Sequence, residues 1–239
     1  MGIDHRAWEV LERLDRSGRL NGKRVLTLGR QHIDDRENGP NVRNEIEWLD
    51  EFVDTSKLES LDVSSYEGAT HVADLQGEIP EDLIGQFDVI LDFGTVEHIF
   101  DIAKVYDNIY ELLAPNGLYV GLNGRTGWNS HGLFQFTPEF AFVVANTYGF
   151  ELECFTVSYG EKSPTWFKYE TYGHDPASTW AVMRDMTYLV MFLSKDENSH
   201  ARGAAQSIRY DGFLHVDGEE PGTAGVIQYD SGEFYKLPI

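Results

Sequence analysis

The sequence predicts an α/β fold: a doubly wound, mostly parallel sheet with helices on both faces and a C-terminal extension. Three observations point there. Short apolar runs that end in Gly or Asp alternate along the chain with segments of helical period. The runs are apolar at successive positions, as strands covered on both faces must be. Breakers such as Ala-Pro-Asn-Gly at 114–117 and Gly149 close the helical segments. The 239 residues suit one domain with an appendage, and a 41% hydrophobic share is enough for a substantial core.

The elements follow in order. Trp8, Val10, Leu11 and Leu14 share one face, so the first twenty residues read as a helix of about 4–17, bracketed by Gly18 and Gly22. "KRVLTLG" (Lys23 to Gly29) is a strand ending in glycine, and "NGPN" (Asn38 to Asn41) is a loop by its breakers. Val42, Ile46, Leu49 and Val53 have helical spacing, which predicts a helix over Val42 to Val53. "LESLDV" (Leu58 to Val63), "THVADL" (Thr70 to Leu75) and "FDVILDFG" (Phe87 to Gly94) read as the second, third and fourth strands. From Ile99 the period is helical through Leu113, with Asp101 placed to cap. "LYVGLNG" (Leu118 to Gly124) is a fifth strand. Thr137-Pro138 opens a helix that Gly149 ends. "FELECFTV" and "MTYLVMFL" are late strands. The domain therefore spans 1–195, and 196–239, rich in Gly, Asp, Glu and Ser, is an extension: a hairpin or a mobile arm.

Composition removes several function classes. The net charge of −21 opposes nucleic acid and anionic membranes, since backbone binding needs basic surface. No apolar run approaches the ~18 residues of a membrane span. The charged N-terminus has no signal-peptide stretch, so a cytoplasmic location is expected. The single Cys154 excludes an internal disulfide and a cysteine-rich metal site. There is no His-Glu-x-x-His helix, so no metal is expected, and no Gly-x-Ser-x-Gly elbow of a hydrolase.

Ligands of parallel α/β sheets bind at the carboxyl ends of strands. Here the predicted strands end at Gly29, Asp62, Asp74 and Asp92, the last followed by Gly94. A carboxylate after the second strand suits ribose hydroxyls, and one after the third suits an adenine amino group. Gly94 lets backbone approach a ligand. Turn chemistry alone also places Asp after strands, so each aspartate has that second explanation.

"FDVILDFGTVEHIFDIAKVYDNIYELLAPNGLYV" resembles the fourth strand, helix and fifth strand of the class I S-adenosylmethionine-dependent methyltransferases, which have a Rossmann-like sheet. "ATHVADLQGEIPEDLIGQFDVI" is similar to the segment before it, and "HGLFQFTPEFAFVVANTYGFE" to the segment after the fifth strand in a subset of these enzymes, several of which act on small molecules. The resemblance covers residues 20 to 195. It implies that Gly29 passes the methionine end of the cofactor, Asp62 binds ribose, and Asp74 and Leu75 flank adenine. Asp92, Phe93 and Gly94 would line the sulfonium region, and Glu97 and His98 would begin the next helix beneath the site. The chain departs from the family in its first loop. "LGRQHIDD" keeps only the first glycine of Gly-x-Gly-x-Gly, with Arg30 and Gln31 in place of small residues, and the segment from Gly29 to Asp62 is long. Either Arg30 or Gln31 contacts the cofactor carboxylate, or the two side chains fill its pocket.

His131, in the loop "GWNSHGLFQF", is the first candidate base, because imidazole titrates near neutrality. His98 is the second. Both also fit local hydrogen bonding. Trp128, Phe134, Phe136, Trp166, Phe167, Tyr169 and Tyr172 are the aromatics that could wall an acceptor pocket, with Trp128 and Phe134 singled out. The expected function is S-adenosylmethionine-dependent methyl transfer to a small-molecule acceptor, a sugar or secondary metabolite. The alternative is a non-catalytic relative that acts as a binding or partner subunit, given the altered loop. A nicotinamide-dinucleotide site ranks behind both, since "GRQHID" lacks the required glycines. The extension is a candidate for pairing with a second copy of the chain.

Overall fold

A computed structural model describes residues 2–33, 43–44, 49–161, 164–170, 186–201 and 226–239. In chain order its strands are β1 (Gly2–Ile3), β2 (Val25–Leu28), β3 (His32–Ile33), β4 (Arg43–Asn44), β5 (Leu58–Asp62), β6 (His71–Val72), β7 (Phe87–Asp92), β8 (Leu113–Thr126), β9 (Glu151–Ser158), β10 (Thr165–Tyr169), β11 (Thr187–Ser194) and β12 (Val226–Asp230). The main sheet has the order β12-β10-β9-β11-β8-β7-β2-β5-β6. Pairings from β6 to β8 are parallel, and those from β8 outward to β12 are antiparallel. The expected doubly wound, Rossmann-like sheet is therefore present, and an antiparallel wing extends it. A small second sheet joins β1, β3 and β4.

Four helices are described: α1 (His5–Arg16), α2 (Ile102–Leu112), α3 (Pro138–Tyr148) and the single turn α4 (Ser231–Phe234). Their ends follow from local chemistry. The Asp4 carboxylate accepts from the N–H groups of Arg6 and Ala7 and starts α1; Asp101 accepts from Lys104 N and starts α2. Gly149, at φ +66°, ends α3 in the left-handed conformation that glycine reaches without strain.

Strand alternation divides the core into two layers. Leu26, Leu28, Tyr119, Leu189, Met191 and Leu193 face α2 and α3. Val25, Leu118, Val120, Val190 and Phe192 face α1, with Phe234 of α4 in the same layer. Buried Arg13 of α1 carries an apolar stem and a charged head into this second layer. Its guanidinium lies over the rings of Phe155, Phe192 and Phe234, pairs with Glu153 at 2.7 Å and donates to the Pro238 carbonyl at 2.9 Å.

Several expectations change. Among the described residues of the segment Val42 to Val53, Arg43–Asn44 is a strand and Leu49–Glu51 a 3-10 turn, not a continuous helix; residues 45–48 lie outside the described residues. The third strand is short, at His71–Val72. The helix read from Ile99 starts at Ile102, so Glu97 and His98 occupy a separate 3-10 turn (Val96–His98). β8 starts at Leu113: the Pro-Asn-Gly segment bulges, with Asn116 at φ +62°, before pairing resumes at Leu118. Trp166, Phe167 and Tyr169 are core residues of β10, and Trp166 stacks on Phe234 at 3.6 Å; Tyr172 lies outside the described residues. Beyond residue 195, β12 pairs along β10 as the sheet's outer strand and α4 packs into the core, while residues 202–225 lie outside the described residues.

Candidate functional site

The strand order reverses between β2 and β7: the chain crosses from β2 to β5 on one side, while β7 and β8 lie on the other. A cleft of about 390 Å³ opens at the carboxyl ends of β2, β5 and β7, where such sheets take ligands. Gly29, Arg30, Gln31, Asp62, Asp74, Leu75, Gly94 and His98 all line it, so three of the four strand-end residues singled out from sequence, Gly29, Asp62 and Asp74, converge on one space. Thr95, Gln76, Ala73, Val63 and Ile99 complete most of the wall. Apolar walls with a few carboxylates and amides match a nucleoside in character.

The first loop is built around Gly29. Its φ is +72°, its N–H donates to the Leu61 carbonyl at 2.8 Å, and a Cβ there would lie 2.8 Å from Thr95 Oγ1. Thr95 Oγ1 and Gln31 Nε2 both donate to the Leu28 carbonyl, each at 2.6 Å. Gln31 is thus folded back against the strand end, and its Oε1 is buried with no partner among the described residues. Arg30 reaches outward to the Gly68 carbonyl at 3.2 Å. The half-buried Asp62 carboxylate is oriented by two backbone donors, Arg30 N and Ser64 N, both at 3.1 Å. Asp74 accepts from Gln76 N at 2.9 Å.

Asp92, Phe93 and Glu97 do not line the cleft. Phe93 packs into the α1 layer. Asp92 and Glu97 form a buried network beside the cleft. Asp92 Oδ1 accepts from Thr95 N, and its Oδ2 accepts from Tyr119 Oη and Asn123 Nδ2, all at 2.8 Å. The same Asn123 amide donates to Glu97 Oε2 at 3.0 Å, so one side chain bridges two carboxyl groups. Burial raises the pKa of both acids, and the Asp92 charge adds to the rise in Glu97, which reaches about 8. Asp92 has the more donors, so Glu97 holds the proton.

The pH consequence has a definite sign. Folded Glu97 keeps a proton that the unfolded chain loses above its ordinary value of 4.5. Stability therefore falls as pH rises from 4.5 towards 8. Glu97→Gln, neutral throughout, is expected to flatten this fall, gaining about 3 kcal/mol on wild type between pH 5 and pH 8. Thermal melts of both proteins at the two pH values check it; parallel slopes would show that Glu97 does not hold the proton.

His98 and His131 meet edge to face, with ring centroids 5.1 Å apart. Burial, with the neighbouring His131, lowers the pKa of His98. His131 also packs 5.2 Å from Trp128, whose indole N–H donates to the Thr187 carbonyl. Phe134 N donates to the Glu97 carbonyl, while its ring stacks on Phe136. The two histidines and Trp128 thus form one cluster at the His98 side of the cleft, and Phe134 is tied to the same turn. Sequence reading missed Thr95, Asn123 and Tyr119. The last two stand on either side of Gly121 in β8, the residue that pairs with Asp92 on β7, a register that only strand pairing sets.

Residues 24–119 match the family described as methyltransferase domain. No curated protein matches the chain. Solved structures similar to it include an S-adenosylmethionine-dependent methyltransferase from Archaeoglobus fulgidus (14% identity, 77% of this chain and 92% of that one, TM-score 0.46). Another, from Mesorhizobium loti, has 15% identity over 73% of this chain and 92% of its own, with TM-score 0.42. The 1,6-didemethyltoxoflavin-N1-methyltransferase of Burkholderia thailandensis, solved with S-adenosylhomocysteine, has 16% identity over 78% of this chain and 79% of its own, with TM-score 0.43. These likenesses assign no residue roles. The match to the methyltransferase-domain family covers residues 24–119, the part of the chain that lines the cleft.

Proposed function

We propose that the chain methylates a small-molecule acceptor, with the cofactor in the cleft and the acceptor approaching over His98 and His131. The observation that carries this is the convergence of Gly29, Asp62, Asp74 and Gly94 on one cleft. The residues present fit the cofactor. Asp62, held by two backbone donors, has lone pairs left for the vicinal ribose hydroxyls. Leu75, Ala73 and Val63 offer an apolar wall for adenine beside Asp74. The buried, unpartnered Oε1 of Gln31 is an acceptor suited to the methionine ammonium group. When bound, S-adenosylmethionine supplies an electrophilic methyl group to a nucleophilic oxygen, nitrogen or carbon. In this reading His131 and His98 take the acceptor's proton and Trp128 and Phe134 hold its apolar part, supported by the contacts of His131 with His98 and Trp128. A sugar or a secondary metabolite is the acceptor class proposed.

Calorimetric titration with S-adenosylhomocysteine tests the reading. Saturable binding is expected, weakened about tenfold or more in Asp62→Ala, since a charge-assisted contact is lost. Absence of binding at millimolar concentration would sink it. The second reading, a non-catalytic binding or partner subunit, is favoured by one observation: Gln31 occupies the first loop where glycine is usual. Affinity that appears only in Gln31→Gly would support that reading instead.

A further inference from the structure

We propose that Glu97, His98 and His131 form a binding site for a divalent transition cation of the zinc type. One ligand atom from each of the three lies within 4.8 Å of the others. Tetrahedral donors bound at about 2.0–2.2 Å stand roughly 3.4 Å apart, so closing the set takes a shift on the order of 1 Å. His98, exposed at the end of its turn, can supply it by rotation about its side-chain bonds.

The cluster is built by specific backbone contacts. The loop that carries His131 is pinned to the turn that carries Glu97 and His98. The N–H groups of Leu133 and Phe134 donate to the Glu97 carbonyl at 2.7 and 3.1 Å. Between them and His131 stands Gly132, at φ +76°, where a Cβ would lie 2.9 Å from Glu97 Cγ. No side chain fits there, so glycine is what lets the two segments close. The Glu97 carboxyl, which must give up its proton to bind the cation, is held in turn by Asn123 Nδ2 at 3.0 Å, the kind of outer hydrogen bond that orients a ligating carboxylate.

The donor set selects the ion. Two imidazole nitrogens and one carboxylate oxygen suit Zn²⁺ or Co²⁺ better than Mg²⁺ or Ca²⁺, which prefer oxygen throughout. Three protein ligands leave a position open. His98 also lines the cleft, so an acceptor hydroxyl bound at the open position would stand beside the methyl donor, made acidic by the cation in place of a free imidazole base. That last step rests on the proposed function; the cation site does not. Motif inspection misses the site because the two histidines come from a turn and a separate loop.

Chelator-stripped protein titrated with Co²⁺ tests it. One equivalent is expected to bind with visible ligand-field absorption and to be displaced by Zn²⁺. His98→Ala, His131→Ala and Glu97→Gln should each weaken binding about tenfold or more, while His200→Ala, remote and exposed, should not. His98→Ala removes an exposed side chain and serves if the buried Glu97 variant fails to fold. No saturable binding up to about 1 mM, or binding that survives loss of both histidines, overturns the proposal. S-adenosylhomocysteine binding is measured on the same samples. Cofactor binding without cation binding removes the cation site and leaves the proposed function. Cation binding without cofactor binding does the reverse.

Discussion

Asp92→Ala is expected to lower the stability of the protein by about 3 kcal/mol, the largest effect among single substitutions near the site. The carboxylate is fully buried and is the acceptor for Thr95 N, Tyr119 Oη and Asn123 Nδ2, each at 2.8 Å. Truncation strands these donors where water does not reach, and unpaired buried donors carry their full desolvation penalty. It also removes the negative charge that raises the pKa of Glu97, which returns part of the loss. Asp92→Asn separates the two contributions. It keeps an oxygen for Thr95 N but sets an amide against the Asn123 amide. Asn123 can answer by turning its orphaned Oδ1 towards it, at the expense of its bond to Glu97. A milder loss of about 1 kcal/mol is expected. Urea unfolding of the three proteins checks both values. Equal stability of wild type and Asp92→Ala would mean that the network adds nothing to the fold.

Gly29→Ala is expected to weaken S-adenosylhomocysteine binding by about tenfold or more and to lower stability by about 2 kcal/mol. Two causes combine. The backbone at φ +72° is strained for any residue with a Cβ, and that Cβ would lie 2.8 Å from Thr95 Oγ1. Thr95 cannot turn away cheaply, because its hydroxyl donates to the Leu28 carbonyl at 2.6 Å. Gln31 is bonded to the same carbonyl, so displacement at Gly29 spreads to both side chains at the inner end of the cleft. Adding Thr95→Ala removes the collision and leaves the backbone strain. The double variant should therefore recover part of the affinity. Calorimetry and thermal melts on the single and double variants are the check; unchanged affinity in Gly29→Ala would remove this loop from the cofactor site.

Much of the architecture is legible in the chain itself, and particular residues show why. Asp4, Asp101 and Gly149 mark helix ends through contacts a few residues away, so a local reading finds them. β2, β5 and β7 announce themselves as apolar runs, and their closing Gly29, Asp62 and Asp92 stand at one end because parallel strands must. Three of the four strand-end residues chosen from sequence reach the cleft. Asp92 does not: its side chain turns into the sheet to meet Tyr119 and Asn123, and no local pattern records which way the last residue of a strand points. The antiparallel wing was only partly readable. β9 and β11 are long apolar runs, whereas β10 and the edge strand β12 are short segments whose aromatics serve equally well in a core or a pocket wall.

The sequence by itself determined the order of the main strands β2, β5, β6, β7, β8, β9 and β11 and of helices α1 to α3, the rim on which the candidate site residues stand, and the glycine at which the first loop must turn. These depend on periodicity and backbone conformation, which are properties of neighbouring residues. Only the tertiary structure decided that Gln31 folds back on its own strand, that Asp92 and Glu97 share a buried amide, and that His98 and His131 touch. Apart from the bond of Gln31 to Leu28, those contacts join residues far apart in the chain, and their distances are fixed by sheet register and packing, which the linear order of side chains does not encode.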